Sequence, residues 1–147
     1  TYRPGDGIAR MRVGTPPVIQ MAALEAAMDI WDDVDMAALR DASIALTQRF
    51  IEGVEAACPD LTLACPRDPA VRGSQVSFSH PQGYAAMQAC IAHGVVGDFR
   101  APDIMRFGFT PLFIDAADVD AAVAVIARVM NEALWDNPQF QARSAVT

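Results

Sequence analysis

The sequence predicts an α+β fold, in which helices outweigh strands and pack on a small, mainly antiparallel sheet preceded by a long helix. Apolar residues recur at helical spacing in the long segments, and short segments elsewhere alternate apolar with polar residues as half-buried strands do. The 147 residues are 52% hydrophobic and 20% charged, a composition that is typical of a folded domain and excludes a disordered chain. A chain of this length buries enough surface to fold without a metal or a disulfide.

The first part of the chain is predicted to be an irregular segment followed by two helices. Residues 1–15 are expected to be irregular because proline and glycine recur early. Thr15 is predicted to cap the first helix, with Pro16 at its first position, and this helix runs to about Met28–Trp31. The second helix is predicted from about Met36 to Ala57. Its apolar stripe, expected in the core, consists of Leu39, Ala42, Leu46, Phe50, Val54 and Ala57.

The rest of the sequence is predicted to alternate strands with helices. Gly94 is expected to follow the end of a helix, and the two strands around Ala101–Asp103 are expected to form a hairpin. The polar tail after Trp135 is expected to be frayed. In order, the predicted elements are strands at Leu61–Ala64 and Gln75–Ser79, a helix at Gln82–His93, strands at Val95–Arg100 and Ile104–Thr110, and a helix at Asp118–Leu134.

Charge and composition exclude several classes of function. The net charge of −7 argues against a nucleic-acid partner, and no apolar run approaches the roughly 20 residues that span a membrane. All eleven basic residues are arginine, so the chain contains neither the lysine of a phosphate-binding P-loop nor a lysine that forms a Schiff base. The first residue is Thr1 and not methionine, which predicts a piece of a longer or processed protein.

The cysteines do not indicate a metal site. Cys58, Cys65 and Cys90 are odd in number and show no C-x-x-C spacing, so we expect reduced thiols in a cytoplasmic protein. Together with His80 and His93 they match no zinc-binding pattern. The sequence therefore predicts no metal ligand.

Thr15 is the first candidate for a binding residue. Its hydroxyl is predicted to stand at a helix N-terminus, where a phosphate oxygen is favoured. Pro16 and Pro17 lack N–H groups, so a phosphate contact would depend on the Thr15 side chain and on nearby amides. A plain helix cap is the alternative interpretation.

Arg106 is the second candidate. In the predicted strand, Met105, Phe107 and Phe109 share one face, while Arg106 shares the other with Gly108. A guanidinium in mid-strand suits two-pronged binding of a carboxylate, and glycine two residues further on leaves room for a ligand. The alternative is a strand-face arginine that is paired with Asp98 or Asp103.

Three segments together resemble kynureninases, which are pyridoxal-phosphate enzymes of the fold-type I aminotransferase superfamily. They are R-M-R-V-G-T-P-P-V at residues 10–18, R-G-S-Q-V-S-F-S-H at 72–80, and G-V-V-G-D-F-R-A-P-D-I-M-R-F-G-F-T-P-L at 94–112. The resemblance extends from about Ile8 to Met130, and the last segment is long and specific.

The resemblance implies a homodimeric hydrolase of tryptophan catabolism. Such an enzyme converts L-kynurenine or 3-hydroxykynurenine to anthranilate or 3-hydroxyanthranilate and L-alanine. Its pyridoxal 5'-phosphate is held by a lysine of a large domain expected before Thr1. Residues 1–34 would then lead from that domain, and residues 35–147 would form the small C-terminal domain. The lysine-free chain would be inactive alone and would hold no catalytic residue.

Two functional positions carry over from the family. Thr15 matches the residue that helps to hold the cofactor phosphate across the dimer interface, and Gly14 lies with it beside the pocket for the substrate's aromatic ring. Arg106 matches the arginine that binds the substrate α-carboxylate. Two alternatives stay open: another fold-type I enzyme, such as a desulfurase or an aminotransferase, and a non-enzymatic α+β ligand-binding module.

Overall fold

The computed structural model describes residues 3–12 and 14–142. The chain divides into two compact units, Thr1–Met36 and Ala37–Thr147. No helix in these described ranges is both long and apolar enough to cross a bilayer.

The first unit contains helix α1, Val18–Met28, which is continued by a 3-10 turn at Asp29–Trp31. A second 3-10 turn, Gly7–Met11, lies in the stretch that was expected to be irregular, so that expectation is wrong there. No residue of α1 is buried, and its apolar side chains are exposed within this chain.

Helix α1 begins later than the sequence predicted. Its N-cap is Pro17, so Thr15 is not the cap and Pro16 is not the first helical residue. A proline disfavours helical backbone in the residue before it. Two prolines in succession therefore keep Thr15 and Pro16 out of the helix.

Helix α2, Met36–Ala57, has the predicted bounds. Leu46, Phe50 and Val54 of the predicted stripe are buried, whereas Ala42 is exposed, contrary to expectation. The buried face also includes polar residues that a hydrophobic stripe does not reveal. Their polar atoms are satisfied, since the hydroxyls of Ser43 and Ser74 are 2.6 Å apart and that of Thr47 donates to the Ser43 carbonyl at 2.8 Å.

Four antiparallel strands form a sheet in the order β1-β2-β4-β3. The strand β2 has the predicted bounds, and the β3–β4 hairpin is confirmed. The other strands are shorter than predicted. In β3 the reason is local, because the Val95 amide donates to the Cys90 carbonyl at the end of the preceding helix. The strands are β1 Thr62–Leu63, β2 Gln75–Ser79, β3 Asp98–Arg100 and β4 Ile104–Gly108.

Helices α3, Gly83–Ala92, and α4, Ala116–Asn131, complete the main framework of the second unit. Gly94 follows α3 with a φ of 93°, as its predicted position requires, and its amide donates to the Ile91 carbonyl. Helix α4 starts earlier than the predicted Asp118, because Asp115 and Asp118 form a reciprocal capping box.

The tail contains one further helical turn, α5, Pro138–Gln141. The Asn137 side chain accepts a hydrogen bond of 3.1 Å from the Gln139 amide, and Pro138 occupies the first turn. The expectation of a frayed tail is therefore wrong for these residues. Residues 143–147 of the tail lie outside the described ranges.

One hydrophobic cluster joins α2, α3 and α4 to a single face of the sheet. The ring of Phe50 packs against Phe78, Phe107 and Phe109, with centroids 5.1–6.2 Å away. The α+β fold with helices on a small antiparallel sheet is thus confirmed. The sheet residues of the cluster are Val76, Phe78, Met105 and Phe107.

Candidate functional site

Arg106 lies in mid-strand on the sheet face opposite to the hydrophobic cluster. Met105 and Phe107 on either side of it are buried in that cluster, whereas 29% of the Arg106 side chain is exposed. The alternation predicted for this strand is confirmed. The pleat of β4 therefore directs a charged side chain away from the hydrophobic cluster.

The Arg106 guanidinium forms a two-pronged ion pair with Asp98. Its Nε donates to Asp98 Oδ1 at 2.6 Å and its Nη2 donates to Oδ2 at 2.5 Å. The two residues are directly opposite each other in the β3–β4 register. Of the two partners that the sequence left open, Asp98 and Asp103, the structure selects Asp98, because cross-strand partners point to the same face.

Electrostatics at this pair follow from the contacts. The hydrogen bonds from Arg106 hold the pKa of the Asp98 carboxyl below its usual value, and the positive charges of Arg106 and Arg100 act in the same direction. Arg100 Nη2 lies 3.5 Å from Asp98 Oδ2. The three side chains together carry one net positive charge, so the group remains attractive to an anion.

Space is available beside the ion pair. Gly108 lies two residues after Arg106 on the same face, and a Cβ added there would meet no atom of the described residues within 4 Å. Arg106 Nη1 donates to no group of residues 3–12 and 14–142. A ligand oxygen could approach this nitrogen without displacing Asp98.

Thr15 and Gly14 belong to the first unit, and both are exposed. Within the described part of the chain the Thr15 hydroxyl has no hydrogen-bond partner, and it does not cap α1. The first hydrogen bond of the helix runs from the Met21 amide to the Pro17 carbonyl. The amides of residues 18–20 therefore donate no hydrogen bond within the helix. Thr15 precedes these amides by three to five residues in sequence, and a helix N-terminus of this kind favours a phosphate group.

The remaining candidate residues have structural roles. Burial raises the pKa of the Cys90 thiol to about 12 and also raises that of Cys58, so neither is a thiolate near neutral pH. His80 Nδ1 accepts a hydrogen bond from the Gln82 amide, and the His80 ring packs edge-on against Trp135. Among the described residues, no group of three or more His, Cys, Asp or Glu side chains is placed to hold a metal ion.

Sequence reasoning did not foresee an apolar cleft of about 400 Å³ at the end of β4. It lies between α4 and the segment 93–96, and Gly108 contributes to its wall, whereas Arg106 does not. No local signal marks this cleft, because its walls come from segments far apart in sequence.

The α+β fold fits the small C-terminal domain of a fold-type I enzyme. The kynureninase C-terminal domain family matches residues 39–126, a range that includes Asp98 and Arg106. The chain is 49% identical over 148 aligned positions to a kynureninase of Pseudomonas fluorescens, and 45% identical to kynureninases of Burkholderia mallei and Burkholderia pseudomallei. Each alignment covers 99% of this chain and 36% of the relative. The chain belongs to the kynureninase family.

These comparisons give no support to the alternative classes, another fold-type I enzyme or a non-enzymatic module. Gly14 and Thr15 lie outside the range of the family match, which begins at residue 39. The alignments to individual relatives do extend over nearly the whole chain.

Proposed function

We propose that this chain is the C-terminal part of a kynureninase that hydrolyses L-kynurenine or 3-hydroxykynurenine to anthranilate or 3-hydroxyanthranilate and L-alanine, in tryptophan catabolism. Relatives named kynureninase, 45–49% identical, support this activity. In the intact protein, residues 1–34 lead from a large domain and residues 35–147 form the small domain. The intact protein is a cytoplasmic homodimer, and the free cysteines are consistent with a reducing compartment.

The position of Arg106 is the observation that carries the proposal. An arginine on the sheet face opposite to the hydrophobic cluster, held by one edge and with Nη1 free of partners in the described residues, suits the α-carboxylate of an amino-acid substrate. In this role Arg106 binds and orients the substrate, which brings its reacting bonds into a fixed position.

Thr15 and Gly14 serve the cofactor and the aromatic end of the substrate. The Thr15 hydroxyl donates to the phosphate of pyridoxal 5'-phosphate, and the exposed Gly14 leaves space beside the substrate ring. A Cβ added at Gly14 would meet no described atom within 4 Å, in keeping with an open site. When bound, the cofactor supplies the electron sink for the reaction.

The chain alone is expected to be inactive. The resemblance assigns the covalent attachment of the cofactor to a lysine, and these 147 residues contain none. The relatives extend well beyond the matched region, which leaves room for that lysine elsewhere in the intact enzyme.

Arg106→Ala and Arg106→Lys in the intact enzyme test the carboxylate assignment. The lysine variant keeps the charge but loses the planar fork, and the alanine variant loses both. We expect both to raise KM for kynurenine, with a loss in kcat/KM of roughly a hundredfold or more for alanine. Steady-state kinetics measure this loss, and cofactor affinity should be unchanged.

A matched control is available on the same unit. Arg49 forms a comparable two-pronged pair with Asp120, at 2.6 Å for each contact, but outside the sheet. Arg49→Ala should leave KM unchanged. A kynurenine analogue without the carboxylate should react equally slowly with wild type and Arg106→Ala. Near-normal kcat/KM for kynurenine in Arg106→Ala would contradict the assignment.

A further inference from the structure

Arg106 would bind a substrate carboxylate more tightly if its guanidinium were already held in a defined orientation. An arginine side chain has several rotatable bonds, and fixing them on binding costs affinity. Asp98 already fixes two of the five N–H donors of Arg106 through contacts of 2.6 and 2.5 Å. The guanidinium plane is therefore set before any ligand arrives.

The contact with Asp98 occupies one edge of the guanidinium and leaves another open. Nε and Nη2 form the side edge, which faces Asp98. Nη1 and the second N–H of Nη2 form the end edge, and Nη1 has no partner among the described residues. A planar fork offers two parallel N–H groups on either edge, so one carboxylate can bind the end edge while Asp98 holds the side edge.

The position of Asp98 is itself fixed by the packing of the backbone at the start of β3. A Cβ added at Gly97 would lie 2.7 Å from the Arg106 carbonyl oxygen and 2.7 Å from Met87 Cε. The start of β3 is thus packed against β4 at Arg106 itself. Asp98 and Arg106 are direct cross-strand partners, so their separation is set by the hairpin.

We propose that Asp98 is a positioning residue that holds the Arg106 side edge and thereby presents the end edge to the substrate α-carboxylate. This inference rests on the proposed function of Arg106. A positioning role predicts that loss of Asp98 raises KM, whereas the change in charge alone predicts that it lowers KM. Without Asp98 the group of Asp98, Arg100 and Arg106 gains one positive charge, which by itself would strengthen carboxylate binding.

Asp98→Asn in the intact enzyme separates the two effects. Asparagine keeps the size and one acceptor but sets an NH₂ group against Nη2, so the two-pronged contact is lost. We expect KM for kynurenine to rise about tenfold, within the range of roughly 2- to 150-fold that couples contacting groups. Asp98→Glu, which retains a carboxylate, should give a smaller rise. KM does not depend on the fraction of enzyme that is folded, so partial misfolding cannot mimic the result.

Two further measurements complete the test. Asp120→Asn removes the matching pair with Arg49 and should leave KM unchanged. In an Arg106→Ala background, Asp98→Asn should add no further rise in KM, because its effect passes through Arg106.

The outcomes distinguish this inference from the function on which it rests. If Arg106→Ala raises KM and Asp98→Asn leaves it unchanged or lowers it, the positioning role is wrong and the carboxylate assignment stands. If Arg106→Ala leaves KM unchanged, the carboxylate assignment fails and the positioning role fails with it. An equal rise in KM from Asp98→Asn with and without Arg106 would also overturn the inference.

Discussion

The hydroxyl of Thr15 is accessible because of the two residues that follow it. A proline disfavours helical backbone in its predecessor, so Pro16 and Pro17 delay α1 until Val18. A threonine that would otherwise cap the helix is left exposed and without a hydrogen-bond partner in the described residues. The same two prolines remove two backbone donors, so the proposed phosphate contact depends mainly on the Thr15 side chain.

Thr15→Ala in the intact enzyme tests this role at the residue scale. A hydrogen bond to a charged group contributes about 1.5–3 kcal/mol, so we expect affinity for pyridoxal 5'-phosphate to fall about ten- to a hundredfold. Cofactor titration of the apoenzyme measures the change. Thr15→Ser keeps the hydroxyl and should retain most of the affinity. Unchanged affinity in the alanine variant would remove Thr15 from the phosphate site.

At the scale of the element, the β3–β4 hairpin brings the candidate site together. Its register places Asp98 opposite Arg106, and the close approach at Gly97 maintains that register. Two glycines of this region have different surroundings. A Cβ at Gly97 would meet a backbone oxygen at 2.7 Å, whereas one at Gly108 would meet no atom within 4 Å in the part of the chain that the structure describes.

Gly97→Ala and Gly108→Ala form a matched pair of variants that tests this difference. At Gly97 the backbone oxygen of Arg106 cannot move aside as the Met87 side chain can, so the strands must separate. Overpacking of this kind costs about 1–3 kcal/mol in the free energy of unfolding. Gly108→Ala should change it by less than about 0.5 kcal/mol. Urea unfolding of the intact enzyme or of this chain measures both, and equal effects would contradict the close approach at Gly97.

At the scale of the whole molecule, the chain contains the two proposed binding residues but no lysine to which a cofactor could be attached. Arg106 and Thr15 are present, but none of the eleven basic residues is a lysine. Helix α1 has no buried residue, although Val18, Ile19 and Leu24 are 63–86% exposed. A helix with so much exposed apolar surface draws little stabilisation from this chain.

Borohydride reduction provides a test at this scale. When the 147-residue chain is incubated with pyridoxal 5'-phosphate and reduced, we expect no stable adduct on any side chain, because no lysine amine is present. Peptide mass spectrometry locates any adduct and separates the α-amine of Thr1 from side chains. The intact enzyme, reduced in parallel, should be labelled. An adduct on a side chain of this chain would contradict the expectation.

The sequence by itself determined the elements whose signals are local. Helix α2 and strand β2 have their predicted bounds, and the helix-closing role of Gly94 and the two faces of β4 are confirmed. Each depends on periodicity or on one backbone conformation within a few residues. The cap at Thr15 and the start of α4 were misjudged because neighbouring signals competed, namely two prolines in one case and an earlier capping box in the other.

Only the tertiary structure decided how Arg106 is held. The sequence offered Asp98 or Asp103 as a partner and treated pairing and ligand binding as alternatives. Cross-strand register selects Asp98, and the two edges of the guanidinium make pairing compatible with carboxylate binding. Register is set by contacts between segments distant in sequence, and the walls of the cleft beside α4 come from such segments as well. Local patterns carry no information on such contacts, because these depend on which surfaces meet when the chain folds.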